Sequence, residues 1–168
     1  MSIWLAFIIA LLLLLIVIVS EFYITHKNRY KQSISFKESL DLTELPIVTF
    51  YYDDVKRIKL NFLLDTGSNL SHINKSVLSS INENYEEKES VSVIGINGSP
   101  MKSSICNLDI KYKDLSFTEE FVVSDLDTVF SEVKKNTGVQ IHGILGSKFF
   151  EKYKYIIDFK ELIAHISK

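Results

Sequence analysis

The chain has 168 residues and a formal net charge of −2, and that length predicts one folded domain. Of its 19 basic and 21 acidic residues, Lys27, Arg29, Lys31 and Glu21 lie before position 32, which leaves 16 and 20, a balance of −4. No basic patch with interleaved aromatics occurs, so nucleic acid is not an expected partner.

Ile3 to Val19 is a run of 17 apolar residues without a charge. As a helix rising about 1.5 Å per residue it spans roughly 26 Å, the short end for a membrane crossing. Phe22, Tyr23 and Ile24 extend it, and Trp4 and Tyr23 stand where aromatic belts form. Residues 1–24 are therefore expected to anchor the chain in lipid through residues 3–24. The competing reading is a cleaved signal peptide. It fits less well: no Lys or Arg precedes the run, the run is long for a signal, and Ile18-Val19-Ser20-Glu21 is not a small-x-small site. Lys27, Arg29 and Lys31 all follow the span, so the positive-inside rule places the rest of the chain in the cytoplasm. The lone Cys106 offers no intrachain disulfide and agrees with that side. Residues 25–40 read as a polar juxtamembrane linker and 41–168 as the folded domain.

Strands are expected from Leu45. Ile47 to Tyr52 is β-branched and aromatic, Asp53-Asp54 marks a turn, and Arg57 to Phe62 alternates polar with apolar. Leu63-Leu64 makes the end of that strand fully apolar as it runs into Asp65. Asp65-Thr66-Gly67-Ser68 follows. A buried carboxylate needs hydrogen-bond partners, and here Thr66 and Ser68 bring hydroxyls while Gly67 permits positive φ and close backbone approach. An ordinary β-turn uses the same residue types. Leu70 to Ile73 carries the chain away; Lys75 to Ile81 reads as a short helix with Asn74 as its N-cap. Ser90 to Ile94 alternates into Gly95-Ile96-Asn97-Gly98, a hairpin signal. Two more strands are expected near 105–112 and 115–123, then a helix over 125–136 capped by Gly138. The composition is mostly β with two or three short helices.

Ile141 to Phe150 contains Gly143-Ile144-Leu145-Gly146. An Asp-Thr-Gly-Ser turn, a glycine-bearing hairpin and an apolar-apolar-Gly element, in this order, resemble the retropepsin-like aspartic proteases over roughly residues 45 to 166. The resemblance implies an acid-protease β-barrel in which Ile144, Leu145 and Gly146 pack beneath the catalytic turn, a helix follows, and Tyr155 to Ile166 closes the domain. It also implies that Ile94, Gly95, Ile96, Asn97 and Gly98 form a flap over an extended polypeptide substrate.

Other chemistries find less support. Gly143 to Lys148 lacks the spacing and residue order of a phosphate loop. The four histidines and Cys106 show no metal-ligand spacing, so no metal or cofactor is expected. His72 and His142 read as part-buried, hydrogen-bonded groups. Peptide hydrolysis by carboxylates needs two that share a proton, one taking a proton from water and the other protonating the carbonyl. This chain has one Asp-Thr-Gly, so the resemblance implies a homodimer with Asp65 from each copy. By the same resemblance Thr66 bonds across the two-fold, Gly67 approaches the dyad, Ser68 donates to the outer carboxylate oxygen, and Leu162 to Ile166 is the expected interface strand. The alternative is a non-catalytic domain of this fold, used for binding or dimerisation at the membrane.

Overall fold

The computed structural model describes residues 3–52, 57–81, 88–94 and 100–166. The expected turn at Asp53-Asp54 and the hairpin tip Gly95 to Gly98 lie outside these residues; Ile94 ends a described strand.

Helix α1, Ile3–Lys31, contains one stretch, Phe7–Lys27, long and apolar enough to cross a membrane, with a mean hydropathy of 2.9 and none of it buried against the protein. It continues beyond residue 24. Only Gln32 and Ser33 separate its end from strand β1, Ile34–Ser35, and helix α2, Lys37–Thr43, follows. The expected linker over 25–40 is thus replaced by helix end and folded domain. The reason lies in two residues: Ile34 and Phe36 are fully buried, and the Ser35 amide and Gln32 carbonyl bond to the Tyr112 and Tyr155 hydroxyls.

Among the described residues, ten strands form two sheets. Strands β2 (Ile47–Tyr52), β3 (Ile58–Leu64), β4 (Ser71–Asn74), β5 (Lys88–Ile94), β6 (Pro100–Tyr112), β7 (Leu115–Ser124) and β8 (Gly143–Leu145) run in the order β2-β3-β8-β4-β7-β6-β5. A further β2–β6 pairing closes the first six into a barrel. Closure satisfies backbone groups that an open edge would leave unpaired. Helices α3 (Lys75–Ile81), α4 (Asp127–Thr137) and α5 (Ser147–Lys152) connect strands. Gly138 ends α4 with φ 76°, the left-handed cap read from the sequence. Helix α2 was not expected.

The second sheet is β1-β10-β9, from β9 (Tyr155–Asp158) and β10 (Ile163–Ile166). Strand β10 is its middle strand, antiparallel to β1 on one side and β9 on the other. The expected interface strand 162–166 is thus paired within the chain, to β9 from Ile163 to Ile166 and to β1 at Ile163 and Ala164.

The barrel is filled by Phe50, Phe62, Phe117, Phe121 and Phe149, each at most 5% exposed. Phe50 meets Phe62 and Phe117 edge-on at ring distances of 5.8 and 5.9 Å, and Phe62 stacks on Phe121 at 5.3 Å. Fully burying each such ring contributes about 1.5–3 kcal/mol. The odd face of β3 has its own use. Leu63 packs with Ile47, Phe130 and Ile141 in a second cluster, so this strand is apolar on both faces just before Asp65.

Candidate active site

Strand β3 delivers Asp65. It runs parallel to β8 with Phe62 opposite Gly143 and Leu64 opposite Leu145. The Asp65 amide extends that ladder by donating to the Leu145 carbonyl at 3.0 Å. On the other side β8 pairs antiparallel with β4, His72 opposite Ile144. The turn between β3 and β4 must therefore pass over the end of β8.

Two glycines permit this. A Cβ on Gly143 would lie 2.4 Å from the His72 carbonyl oxygen and 2.7 Å from the Phe62 ring. A Cβ on Gly146 would lie 2.4 Å from the Leu70 carbonyl oxygen and 2.9 Å from that of Ser68. Beyond Gly146, the first amides of α5 have no partner inside the helix. They bind the turn instead, Ser147 donating to the Ser68 carbonyl at 2.8 Å and Lys148 to that of Asn69 at 3.2 Å. Leu145 is fully buried and Ile144 half-buried against the second cluster.

Within the turn, the Gly67 amide donates to Asp65 Oδ1 at 2.9 Å, and the Ser68 amide to the Asp65 carbonyl at 3.2 Å. Gly67 does not adopt positive φ. Its need for glycine is proximity, since a Cβ would lie 3.1 Å from Asp65 Oδ1. Thr66 is exposed. Ser68 departs from its expected role: its hydroxyl donates to the Leu70 carbonyl at 2.8 Å. A serine has one hydroxyl proton, so none remains for a carboxylate oxygen.

Both histidines near the motifs are hydrogen-bonded and half-buried. His72 Nδ1 lies 2.9 Å from Ser124 Oγ; burial lowers its pKa, and the charge of Asp65 opposes the change without reversing it. His142 Nδ1 accepts from the Asn61 amide at 2.8 Å, which fixes it as the unprotonated nitrogen. Burial lowers its pKa, and the Lys134 charge adds to that. In β6, burial pushes the Cys106 thiol up to about 12, the wrong direction for a nucleophile.

Asn74 does not cap α3. Its side chain reaches 53 residues along, donating to Asp127 at 2.7 Å and accepting from the Leu126 amide at 3.2 Å. The Ser76 hydroxyl and then the Asn74 amide, both donating to Asp127, lower its pKa, and the Asn74 bonds tie β4 to the start of α4.

Sequence reasoning missed Glu119. It is 4% exposed, accepts from Ser71 Oγ at 2.8 Å and pairs with Lys152 Nζ at 3.3 Å. The signal was present, because alternation in β7 puts Glu119 on the face of Phe117 and Phe121.

One Asp-Thr-Gly turn supplies one carboxylate. Among the described residues the Asp65 carboxylate is hydrogen-bonded by the Gly67 amide and by no titratable side chain, although His72 lies near enough to feel its charge.

Residues 48–149 match the family model described as Aspartyl protease, over half of the chain. No curated protein is a match. Among solved structures, a retropepsin-like aspartic protease from Rickettsia conorii is 19% identical, with 71% of this chain and 81% of that one covered and a TM-score of 0.46. The retroviral protease-like domain of Ddi1 from Leishmania major is 13% identical over 73% and 87%, with a TM-score of 0.49. The EIAV protease, solved with the inhibitor HBY-793, is 18% identical over 67% and 90%, with a TM-score of 0.43. The family model spans the strand leading into Asp65, the turn itself and the Gly143 to Gly146 element that braces it, and on that match the chain belongs to the aspartyl protease family.

Proposed function

We propose that the chain is a membrane-anchored aspartic endopeptidase that acts as a homodimer, with Asp65 of each copy facing the other across a two-fold axis. The observation that carries this reading is the braced turn. Asp65 is held at its amide by Leu145, and its carboxylate is oriented by the Gly67 amide. Two such carboxylates held close cannot both ionise and so share one proton. One takes a proton from the attacking water and the other protonates the scissile carbonyl; the handling of two carboxylates in this way is the general pattern for the class.

Thr66, exposed beside Asp65, bonds across the two-fold axis, and the Ile94 to Gly98 hairpin covers an extended polypeptide. Among the described residues β9 pairs only with β10, and Ile156 and Phe159 at that edge are 47% and 61% exposed. This edge is the surface offered to the second copy. Helix α1 crosses the membrane with the domain on the cytoplasmic side, and two copies confined to one bilayer meet at raised effective concentration.

The test is Asp65→Asn in the full chain, assayed against a peptide library together with thermal unfolding. The variant should lose cleavage by about a thousandfold or more with an unchanged melting temperature. Unchanged cleavage would remove the enzyme reading. Retained dimerisation with no cleavage by the wild type would favour a non-catalytic binding domain.

A further inference from the structure

We infer that Glu119 is a positioning residue for the Asp65 turn, acting through Ser71 and Gly146. The inference rests on the endopeptidase reading above. Glu119 Oε1 accepts from Ser71 Oγ at 2.8 Å, and Ser71 Oγ accepts from the Gly146 amide at 3.2 Å. A hydroxyl can donate or accept, and its partners decide which. An ionised carboxylate only accepts, so Glu119 forces the Ser71 proton toward itself and leaves the Ser71 lone pair for Gly146.

The consequence is felt at the turn. Gly146 lies against the Ser68 and Leu70 carbonyls with no room for a methyl group. The next two amides bind the Ser68 and Asn69 carbonyls. A shift of Gly146 therefore moves the segment that follows Asp65.

One side of this segment faces open space. A cavity of about 470 Å³ opens behind it, lined by Leu70, Ser71, Glu119, Lys148 and Lys152 among others. On that side the turn is held by the Lys152–Glu119–Ser71–Gly146 chain of polar contacts, beside the Ser147 and Lys148 amide bonds. A carboxylate 4% exposed is costly to bury, and apolar replacements of buried ion pairs are often as stable. Geometry at the turn gives a reason for its presence that stability alone does not.

The test compares Glu119→Ala, Glu119→Gln and Phe130→Leu in the full chain. Phe130 lies in the second cluster, away from the cavity, and serves as a variant of lowered melting temperature. Misplacing a reacting group by about 1 Å can cost about a hundredfold in rate. Glu119→Ala should therefore lower kcat by about ten- to a hundredfold with KM within about twofold. Glu119→Gln keeps an acceptor for Ser71 and should restore kcat to within about threefold of wild type. Phe130→Leu should leave kcat unchanged below its melting point. Amide exchange at Gly146, Ser147 and Lys148, which needs no substrate, should quicken in Glu119→Ala alone. If kcat in Glu119→Ala falls no further than in Phe130→Leu, or if Gln fails to rescue it, Glu119 is a stabilising residue only and the inference is overturned. If the wild type cleaves nothing while exchange still quickens, the endopeptidase reading is what has failed.

Discussion

Ser68 directly follows Gly67, whose amide binds Asp65 Oδ1, yet its hydroxyl proton goes to the Leu70 carbonyl. Sequence alone places a hydroxyl near Asp65; which acceptor it chooses depends on the turn's path over β8. The expected consequence is specific. Ser68→Ala removes one net hydrogen bond, about 0.5–1.5 kcal/mol of stability, and leaves the pH–rate bell in place. Thermal unfolding and kcat/KM against pH check both halves, and an upward move of the bell would mean that Ser68 donates to the dyad after all. His142 gives the second prediction at this scale. Its folded pKa lies below the ordinary 6.5, by burial first and by Lys134 second, so the unfolded chain binds the proton more readily. The stability linked to it is complete above about pH 6.5 and is lost as pH falls through the lowered folded value. His72 acts in the same sense, again by burial. His142→Asn keeps an acceptor for the Asn61 amide without a titrating ring. The melting temperature of the wild type should therefore fall more steeply than that of the variant between pH 7 and pH 5; equal slopes would rule His142 out.

At the scale of elements, legibility followed periodicity. Strands β3 and β7 and helix α4 have apolar residues that recur at 2 or 3.6, while β2 stood out by its β-branched and aromatic residues. The Gly143 to Gly146 element was legible by its resemblance to the family's apolar-apolar-Gly element, and the close backbone contacts at both glycines supply the physical reason that the resemblance lacks. What was missed depends on long-range partners. Asn74 has the residue type of a helix cap, but its bonds run to Leu126 and Asp127, which no local window contains. Strand β1 has only two residues, too few to show a period, and its buried neighbours Ile34 and Phe36 sit among polar ones. That segment carries a prediction. A chain beginning at Gln32 keeps β1 and should fold; one beginning at Asp41 loses Ile34 and Phe36, both fully buried. At about 1.5–3 kcal/mol each the loss is roughly 3–6 kcal/mol, against typical totals of about 5–15 kcal/mol. Urea unfolding of the two chains should show it, and equal midpoints would mean that residues 34–36 are dispensable.

The whole molecule joins three parts. An apolar helix leads within two residues into the small sheet β1-β10-β9, and α5 connects that sheet to a barrel that carries the Asp65 turn. The barrel and the turn were readable from 168 residues because motif, order and alternation agree. Which strand lies at an edge was not, because an edge strand differs from a middle strand only in what lies beside it, and β10 is a middle strand. The central claim is that a working site needs Asp65 from two chains. Its most direct test mixes wild type with Asp65→Asn in rising proportion at constant total protein, under conditions of subunit exchange, and follows the cleavage rate. A shared-proton dyad requires both carboxylates, so only wild-type pairs cleave, and activity should fall as the square of the wild-type fraction, to about a quarter in an equal mixture. A linear fall, to about a half, would show that each chain works alone and would contradict the two-chain site.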